Sequence, residues 1–391
     1  MESSRSPLQG TYKPTTLQQL SYGPNSVKDN LLAALPKEDS RAFIVTGNSL
    51  ATKTPLVKEV EELLGKERHA VTFSKIKQHA PVKELDEAVE VVLKAQGDHP
   101  IDTIISIGGG SPIDSAKAIS FRVYEKTGHY LRHIAIPTTL SAAECTFGAG
   151  FTQPDGTKQA ISQPGTLPTH VFYDPRFGAH TPPDLFISTG IRALDHAIEL
   201  QYHPTATWMP CQLLALSAIK ELFTFLPKYK QDPQNPDTIT RLFLAAYASL
   251  GFLGSNIKGG LGLSHTLGYA LGSPYGIPHG ITSCLTLGHV VKLKARSSPA
   301  TAAKIAEILP FIGTNTRSDD DVKDAEKVGD KILELVRQLG FKTTLTKKNV
   351  GRDQLDVIVE RATGGLSKKE GISGEEREMV EGVRKLVEGL Y

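Results

Sequence analysis

Gly108-Gly109-Gly110-Ser111-Pro112-Ile113-Asp114-Ser115-Ala116-Lys117 is the stretch of this chain whose residue types bear most directly on chemistry. Consecutive glycines let a backbone approach a pyrophosphate closely, and the free amides of a helix start favour its negative charge. The plainer alternative is a tight strand-to-helix turn with Pro112 at the first helical position. For phosphate binding, a strand must deliver the loop and a helix must leave it.

The flanking sequence supplies both. Thr103–Ile107 (TIISI) is a buried β-branched run ending at Gly108, and Ala42–Thr46 (AFIVT) and His133–Ile136 (HIAI) read the same way. Pro55–Leu64 is the expected helix after the first of these, and Leu85, Ala88, Val89, Val92 and Leu93 recur at helical spacing. Residues 1 to about 180 therefore form a parallel sheet with crossover helices, and the Gly/Thr-rich stretch from Phe151 to Tyr173 reads as a hairpin closing it. From Pro182 the period becomes 3.6, with helices marked by Leu213–Phe223, Leu242–Leu253 and Ile332–Val336. Breaks are expected at Pro227–Pro236 and Ser297–Pro299, and Arg317–Asp321 reads as a solvated helix start. The fold class is α/β plus all-α: a Rossmann-like dinucleotide-binding domain over 1–180, then a helical domain over 181–391.

Composition narrows the function classes. At 391 residues, two domains sharing a cleft are expected. A formal charge of +2 with interspersed signs gives no basic stripe for nucleic acid and no polybasic membrane anchor. Cys145, Cys211 and Cys284 have neither disulfide-framework nor zinc-knuckle spacing, which suits a reducing compartment and small buried hydrophobes. Met1–Tyr12 shows no apolar signal segment and no uninterrupted apolar run reaches about 18 residues, so a cytoplasmic location is the expectation. The expected partners are a small-molecule substrate and a second copy of the chain, as a homodimer.

Four ordered motifs carry a resemblance: GGGSPIDSAKA, then IPTTLSAAE, then FYDP at Phe172–Pro175, then DHAIE at Asp195–Glu199. From about Tyr22 to His289 the chain resembles the iron-containing alcohol dehydrogenase family, most closely its maleylacetate reductase-like members. The resemblance implies the dehydroquinate synthase-like architecture, a nicotinamide cofactor and a reaction cleft between the domains. It implies that Gly108, Gly109, Gly110, Ser111 and Asp114 hold the pyrophosphate, with Thr138, Thr139 and Lys158 as further cofactor contacts. The family's PTTxxTxSE loop is one residue shorter here, as in the maleylacetate reductases.

The end of the first strand bears on cofactor choice. An acidic residue there would bind a ribose 2′-hydroxyl and repel a 2′-phosphate. This chain has Gly47, Asn48 and Ser49, with Lys53 close behind and no carboxylate before Glu59. A small, donor-rich turn near a cation favours NADP(H) over NAD(H), the alternative being an ordinary turn that still accepts NADH.

The family's metal-bearing members use Asp, His four residues on, and two further His. Here the first pair falls on Arg192 and His196, one helical face by spacing, and His265 and His279 match the others. The family histidine between those two is Tyr269. Three neutral imidazoles can bind zinc, but a guanidinium about 4 Å from a divalent ion would cost about 8 kcal/mol at an effective dielectric near 20. Iron or zinc held by His196, His265 and His279 is therefore disfavoured, though open, since Arg192 could swing away. Asp195 is not expected to replace the missing ligand, because adjacent helical residues diverge by about 100°. Without a metal, Arg192 could hold a carboxylate or oxyanion, and a histidine or Tyr269 could complete proton transfer. The bland readings are core histidines, an Arg192 paired with Asp195 or Glu199, and a capped Tyr269 hydroxyl.

The sequence thus points to an NAD(P)H-dependent oxidoreductase that transfers hydride to a carbonyl or activated alkene of a small polar or anionic molecule, with Arg192, His196, His265, Tyr269 and His279 as its catalytic set. The rivals are an iron- or zinc-dependent alcohol dehydrogenase, a lyase or cyclase without net redox change, and a cofactor-binding protein without catalysis.

Overall fold

The computed structural model describes residues 12–76, 82–95, 99–152, 158–252, 257–314 and 317–391. Within it the strands are β1 (Gln19–Tyr22), β2 (Arg41–Gly47), β3 (His69–Ile76), β4 (Ile101–Gly108), β5 (Arg132–Pro137), β6 (Gly148–Thr152), β7 (Lys158–Ser162) and β8 (His170–Tyr173). Six of them make one parallel sheet in the order β1-β8-β5-β4-β2-β3, and β6 and β7 pair antiparallel as a separate hairpin. The chain works outward from β2 to β3, then returns to the other side of β2 with β4. That reversal leaves a crevice beyond the carboxyl ends of β2 and β4, where open α/β sheets bind ligands.

Why these segments are strands is visible in their alternation. In β2, Phe43 and Val45 join Ile104 and the helix residues Leu85, Val92, Ile119 and Val123 on one face. Ala42 and Ile44 join Ile105, Ile107, Ile134 and Ile136 under Leu56, Val60 and Leu64 on the other. Both faces are covered, so central strands are apolar throughout, as parallel sheets require. The Phe151–Tyr173 stretch departs from its expected form. Its hairpin is Gly148–Thr152 with Lys158–Ser162, while His170–Tyr173 lies in the main sheet, parallel to β1 and β5.

The chain divides into two compact units: Thr15–Phe186 with Asp232–Tyr247, and Ile187–Gln231 with Ala248–Tyr391 and the N-terminal residues before Thr15. A boundary at 180/181 would leave the Pro236–Leu250 helix wholly in the helical half, yet most of it belongs to the sheet unit. Phe243 stacks on Tyr173 with ring centroids 5.1 Å apart, and a Cβ on Gly178 would lie 2.8 Å from Ile239.

The helical unit holds, among others, Pro183–Gln201, Leu213–Gln231, Leu263–Tyr275, His279–Ala295 and Asp321–Leu339. Leu213–Gln231 runs through Pro227 in its last turns, so the expected break begins only after Gln231. Trp208–Gln231 is, among the described residues, the one helix long and apolar enough to cross a membrane, with mean hydropathy 1.3. Leu216, Ile219, Leu222 and Leu226 are buried within the protein, the pattern of a core helix. Asp320 caps Asp321–Leu339 by accepting from the Lys323 amide at 3.1 Å, which bears out the solvated helix start.

That helix packs on His279–Ala295 through two glycines. A Cβ on Gly329 would lie 2.8 Å from the Gly288 carbonyl oxygen, and one on Gly288 would lie 2.7 Å from Leu333. Backbone cannot step aside as a side chain can. Gly329→Val is expected to destabilise the protein by about 1–3 kcal/mol through overpacking, measured as a lower urea midpoint at unchanged m-value.

Candidate active site

The glycine loop and the threonine segment meet in the sheet unit. β4 and β5 pair in register so that Gly108 faces Pro137, and the Thr138 amide donates to the Gly108 carbonyl at 3.0 Å. Gly108 has a φ of +144°, which a side chain would resist. A Cβ on Gly109 would lie 3.0 Å from Thr139 Cγ2 and 3.1 Å from its Oγ1, so only a bare backbone fits there. Gly109 caps the Gly110–Thr127 helix without a side-chain hydrogen bond, leaving the first turn's amides to a ligand. Pro112 is the third helical residue, not the first, and its ring packs where a Gly108 side chain would go. This cradle fits a pyrophosphate.

Gly47 ends β2 beside it, because Thr46 pairs with Ile107 and donates to the Ile107 carbonyl at 2.8 Å. The expected turn after Gly47 is a short helix, Asn48–Lys53, with Asn48, Ser49 and Lys53 exposed. Thr52 and Thr54 hydroxyls back-bond to the Asn48 and Leu50 carbonyls at 2.8 and 2.6 Å, which helps wind the segment. Asp114 pairs with Lys117 at 3.1 Å, an interaction sequence reading missed. Lys158 opens β7, and its side chain lies outside the described residues.

The remaining candidates gather in the helical unit. Arg192, Asp195, His196 and Glu199 are all buried on the Pro183–Gln201 helix. Arg192 Nη1 donates to Ser283 Oγ at 3.3 Å and lies 3.6 Å from Asp195 Oδ2. That same oxygen accepts from Ser264 at 2.8 Å and Ser283 at 2.6 Å. Glu199 accepts from the Ser264 amide at 2.7 Å and lies 2.6 Å from His265 Nδ1, while Asp195 Oδ1 is 3.5 Å from the same nitrogen. The ring centroids of His196 and His265 are 4.9 Å apart. Tyr269 and His279 form a second pair, T-shaped at 6.1 Å, with Tyr269 58% exposed.

Charge follows from burial. Burial lowers His265 to about 3, with Arg192 adding to the effect, and holds His196 well below its usual range, so both are neutral imidazoles. Burial raises Asp195, and raises Glu199 to about 7 against the amide bonds that favour its ionised form. Arg192 thus faces a carboxylate pair that partly balances it. The bland pairing of Arg192 with Asp195 is present; its Nε and Nη2 make no hydrogen bond among the described residues.

Among the described residues, His196, His265 and His279 do not gather into one ligand group. Among the described residues, the group whose ligand atoms lie within 4.8 Å of one another is Asp195, Glu199 and His265, and His196 and His279 fall outside it. Asp195, set aside on spacing, belongs to this group because it and Glu199 are four apart and both face His265. Its Oδ2 is already engaged by two hydroxyls and approached by Arg192. Ser264 and Ser283 carry no motif of their own; Glu199 closes the DHAIE motif, and its i, i+4 spacing from Asp195 is the one sequence signal for the network.

The family model described as iron-containing alcohol dehydrogenase matches residues 18–175, and its C-terminal counterpart matches 186–389. Maleylacetate reductase 2 from Cupriavidus pinatubonensis is 31% identical over 231 residues, 59% of this chain and 60% of that protein. The crystal structure of maleylacetate reductase from Rhizobium sp. is similar in fold, with a TM-score of 0.77 at 23% identity, covering 99% of each chain. That of sulfoacetaldehyde reductase from Bifidobacterium kashiwanohense in complex with NAD+ has a TM-score of 0.78 at 21% identity, covering 98% of this chain and 99% of that one.

The raised Glu199 has a consequence for stability. Between its ordinary 4.5 and about 7, the native state holds a proton that the unfolded chain has released. Its contribution is therefore full below about pH 4.5 and falls as pH rises to about 7. Glu199→Gln is expected to flatten that fall, read as a smaller difference between urea midpoints at about pH 5 and about pH 8.

Proposed function

Because this chain belongs to the iron-containing alcohol dehydrogenase family of oxidoreductases, we propose that it is a nicotinamide-dependent reductase of a small anionic carbonyl or activated alkene, working without a metal. The observation that carries this reading is Arg192, a buried guanidinium whose Nε and Nη2 make no hydrogen bond among the described residues, at the position where metal-bearing relatives keep a carboxylate. The bound cofactor supplies hydride. Gly108, Gly109, Gly110, Ser111, Thr138 and Thr139 hold its pyrophosphate against bare backbone, and Asn48, Ser49 and Lys53 favour the 2′-phosphate of NADPH.

Arg192 then binds a substrate carboxylate, or the oxyanion that develops on reduction, through two parallel N–H donors. Its burial matters because a charge held away from water acts more strongly on a reacting group. Proton transfer falls to Tyr269 and His279, the pair with access to solvent. His196 and His265 stay neutral and serve as polar lining. The names of the relatives agree with this chemistry, since maleylacetate is a dicarboxylate.

One observation favours the metal-dependent reading instead: the ligand atoms of Asp195, Glu199 and His265 lie within 4.8 Å of one another. Metal analysis of protein purified without chelators decides between them. We expect substoichiometric iron and zinc and no loss of activity on chelation; a full equivalent of either metal would sink the metal-free mechanism. Arg192→Asp should lower kcat/KM for maleylacetate about 10²-fold or more, the loss typical of a buried transition-state donor. Tyr269→Phe should lower kcat by about 10² or more with little change in cofactor affinity.

A further inference from the structure

Among the described residues of the sheet unit, Lys117 is a fully buried cation with no part in the proposed chemistry. Its side chain is fully inaccessible. Its Nζ donates to the carbonyls of Ala143 at 2.6 Å and Gly148 at 2.8 Å, and lies 3.1 Å from Asp114 Oδ1 and 3.3 Å from Thr146 Oγ1. A buried ammonium is tolerated only when paired and fully hydrogen-bonded, and this one meets that condition.

What those acceptors belong to gives the residue a role. Lys117 sits on the helix that begins at the glycine loop, and three of its four partners lie on the segment that follows Thr138 and Thr139. Gly109 packs against Thr139, and a Cβ on Gly110 would lie 3.4 Å from Ser141 Oγ and 3.9 Å from Ala143 Cβ. The two walls of the cradle therefore touch along their length; the Thr138–Gly108 backbone bond joins them at the strand ends, and Lys117 joins them further along. From the other side, Tyr173 donates to Glu144 at 2.6 Å, which anchors the same segment to the end of β8.

We propose that Lys117 is a positioning residue for the cofactor: it clamps the glycine-loop helix to residues 143–148 and so sets the width of the pyrophosphate cradle. The proposal rests on the nicotinamide reading above. Lys117→Met keeps the apolar stem and removes the ammonium, so Asp114 loses its ion pair and the Ala143 and Gly148 carbonyls keep only the longer bonds from Thr146. The walls then relax to rehydrate those groups.

The test is a fluorescence titration with NADPH and NADH at a temperature where each variant is fully folded, as shown by urea melts. In Lys117→Met the dissociation constant of the preferred cofactor should rise about tenfold or more. Lys126→Met, exposed near the end of the same helix, should match the wild type. Thr146→Val, which deletes one acceptor, should raise the constant about two- to fivefold, and Thr146→Ser should restore it. These single-acceptor variants decide the matter if Lys117→Met does not fold. A cofactor affinity within twofold of wild type in Lys117→Met, or equal in all three Thr146 forms, would overturn the clamp and leave the nicotinamide reading intact. A wild-type protein that binds neither cofactor would overturn both.

Discussion

The parallel register of three strands is the constraint on which the nucleotide site depends. Because β2, β4 and β5 run the same way and pair at Thr46–Ile107 and Gly108–Pro137, their last residues arrive side by side. A one-residue slip would turn each strand's apolar set to the wrong face and separate Gly47 from Gly108. Two opposed apolar layers prevent that slip. Packing far from the cofactor thus fixes where three loops begin, and each loop needs only local chemistry to finish its part.

The helical unit solves a different problem, which is to keep a guanidinium out of water. Asp195 is the shared element: one oxygen takes Ser264, Ser283 and the approach of Arg192, and the other faces His265. Glu199 adds a second carboxyl from the same helix face. With both imidazoles neutral, the balance rests on one cation against two acids, one of them titrating near 7. Such an arrangement admits an additional negative group more readily when a carboxyl takes up a proton, so the protonation of Glu199 and the charge of an occupant are coupled.

Much of this was legible in the sequence, for reasons that differ by residue. The glycine loop and central strands were readable because their composition has few other uses. The placement of Arg192 and His196 followed from helical spacing. The Asn48–Lys53 helix was not readable, since a six-residue segment with Leu50 as its one large apolar residue carries no apolar period. Neither was β8, a four-residue strand whose partners, β1 and β5, lie far away in sequence. The Asp195–Glu199–His265 group was not readable, because spacing says which residues share a face but not which face meets His265; the group leaves out His196, as the divergence of adjacent helical residues implies. Lys117 escaped notice since a lysine on an amphipathic helix is ordinarily solvated, and only tertiary structure shows it buried.

The Pro236–Leu250 helix has a further consequence, in time rather than in space. The chain leaves the sheet unit at Phe186, spends 187–231 in the other unit, and returns for Asp232–Tyr247. On the ribosome, where domains tend to fold in order of synthesis, the sheet unit therefore lacks its last piece until both units are partly made. Tyr173, Gly178 and Phe186, which that helix covers, stay open to the nascent chain's surroundings until then. The two units are interleaved in synthesis: the sheet unit is closed only by Asp232–Tyr247, after Ile187–Gln231 of the helical unit has been made, and the helical unit still awaits Ala248–Tyr391.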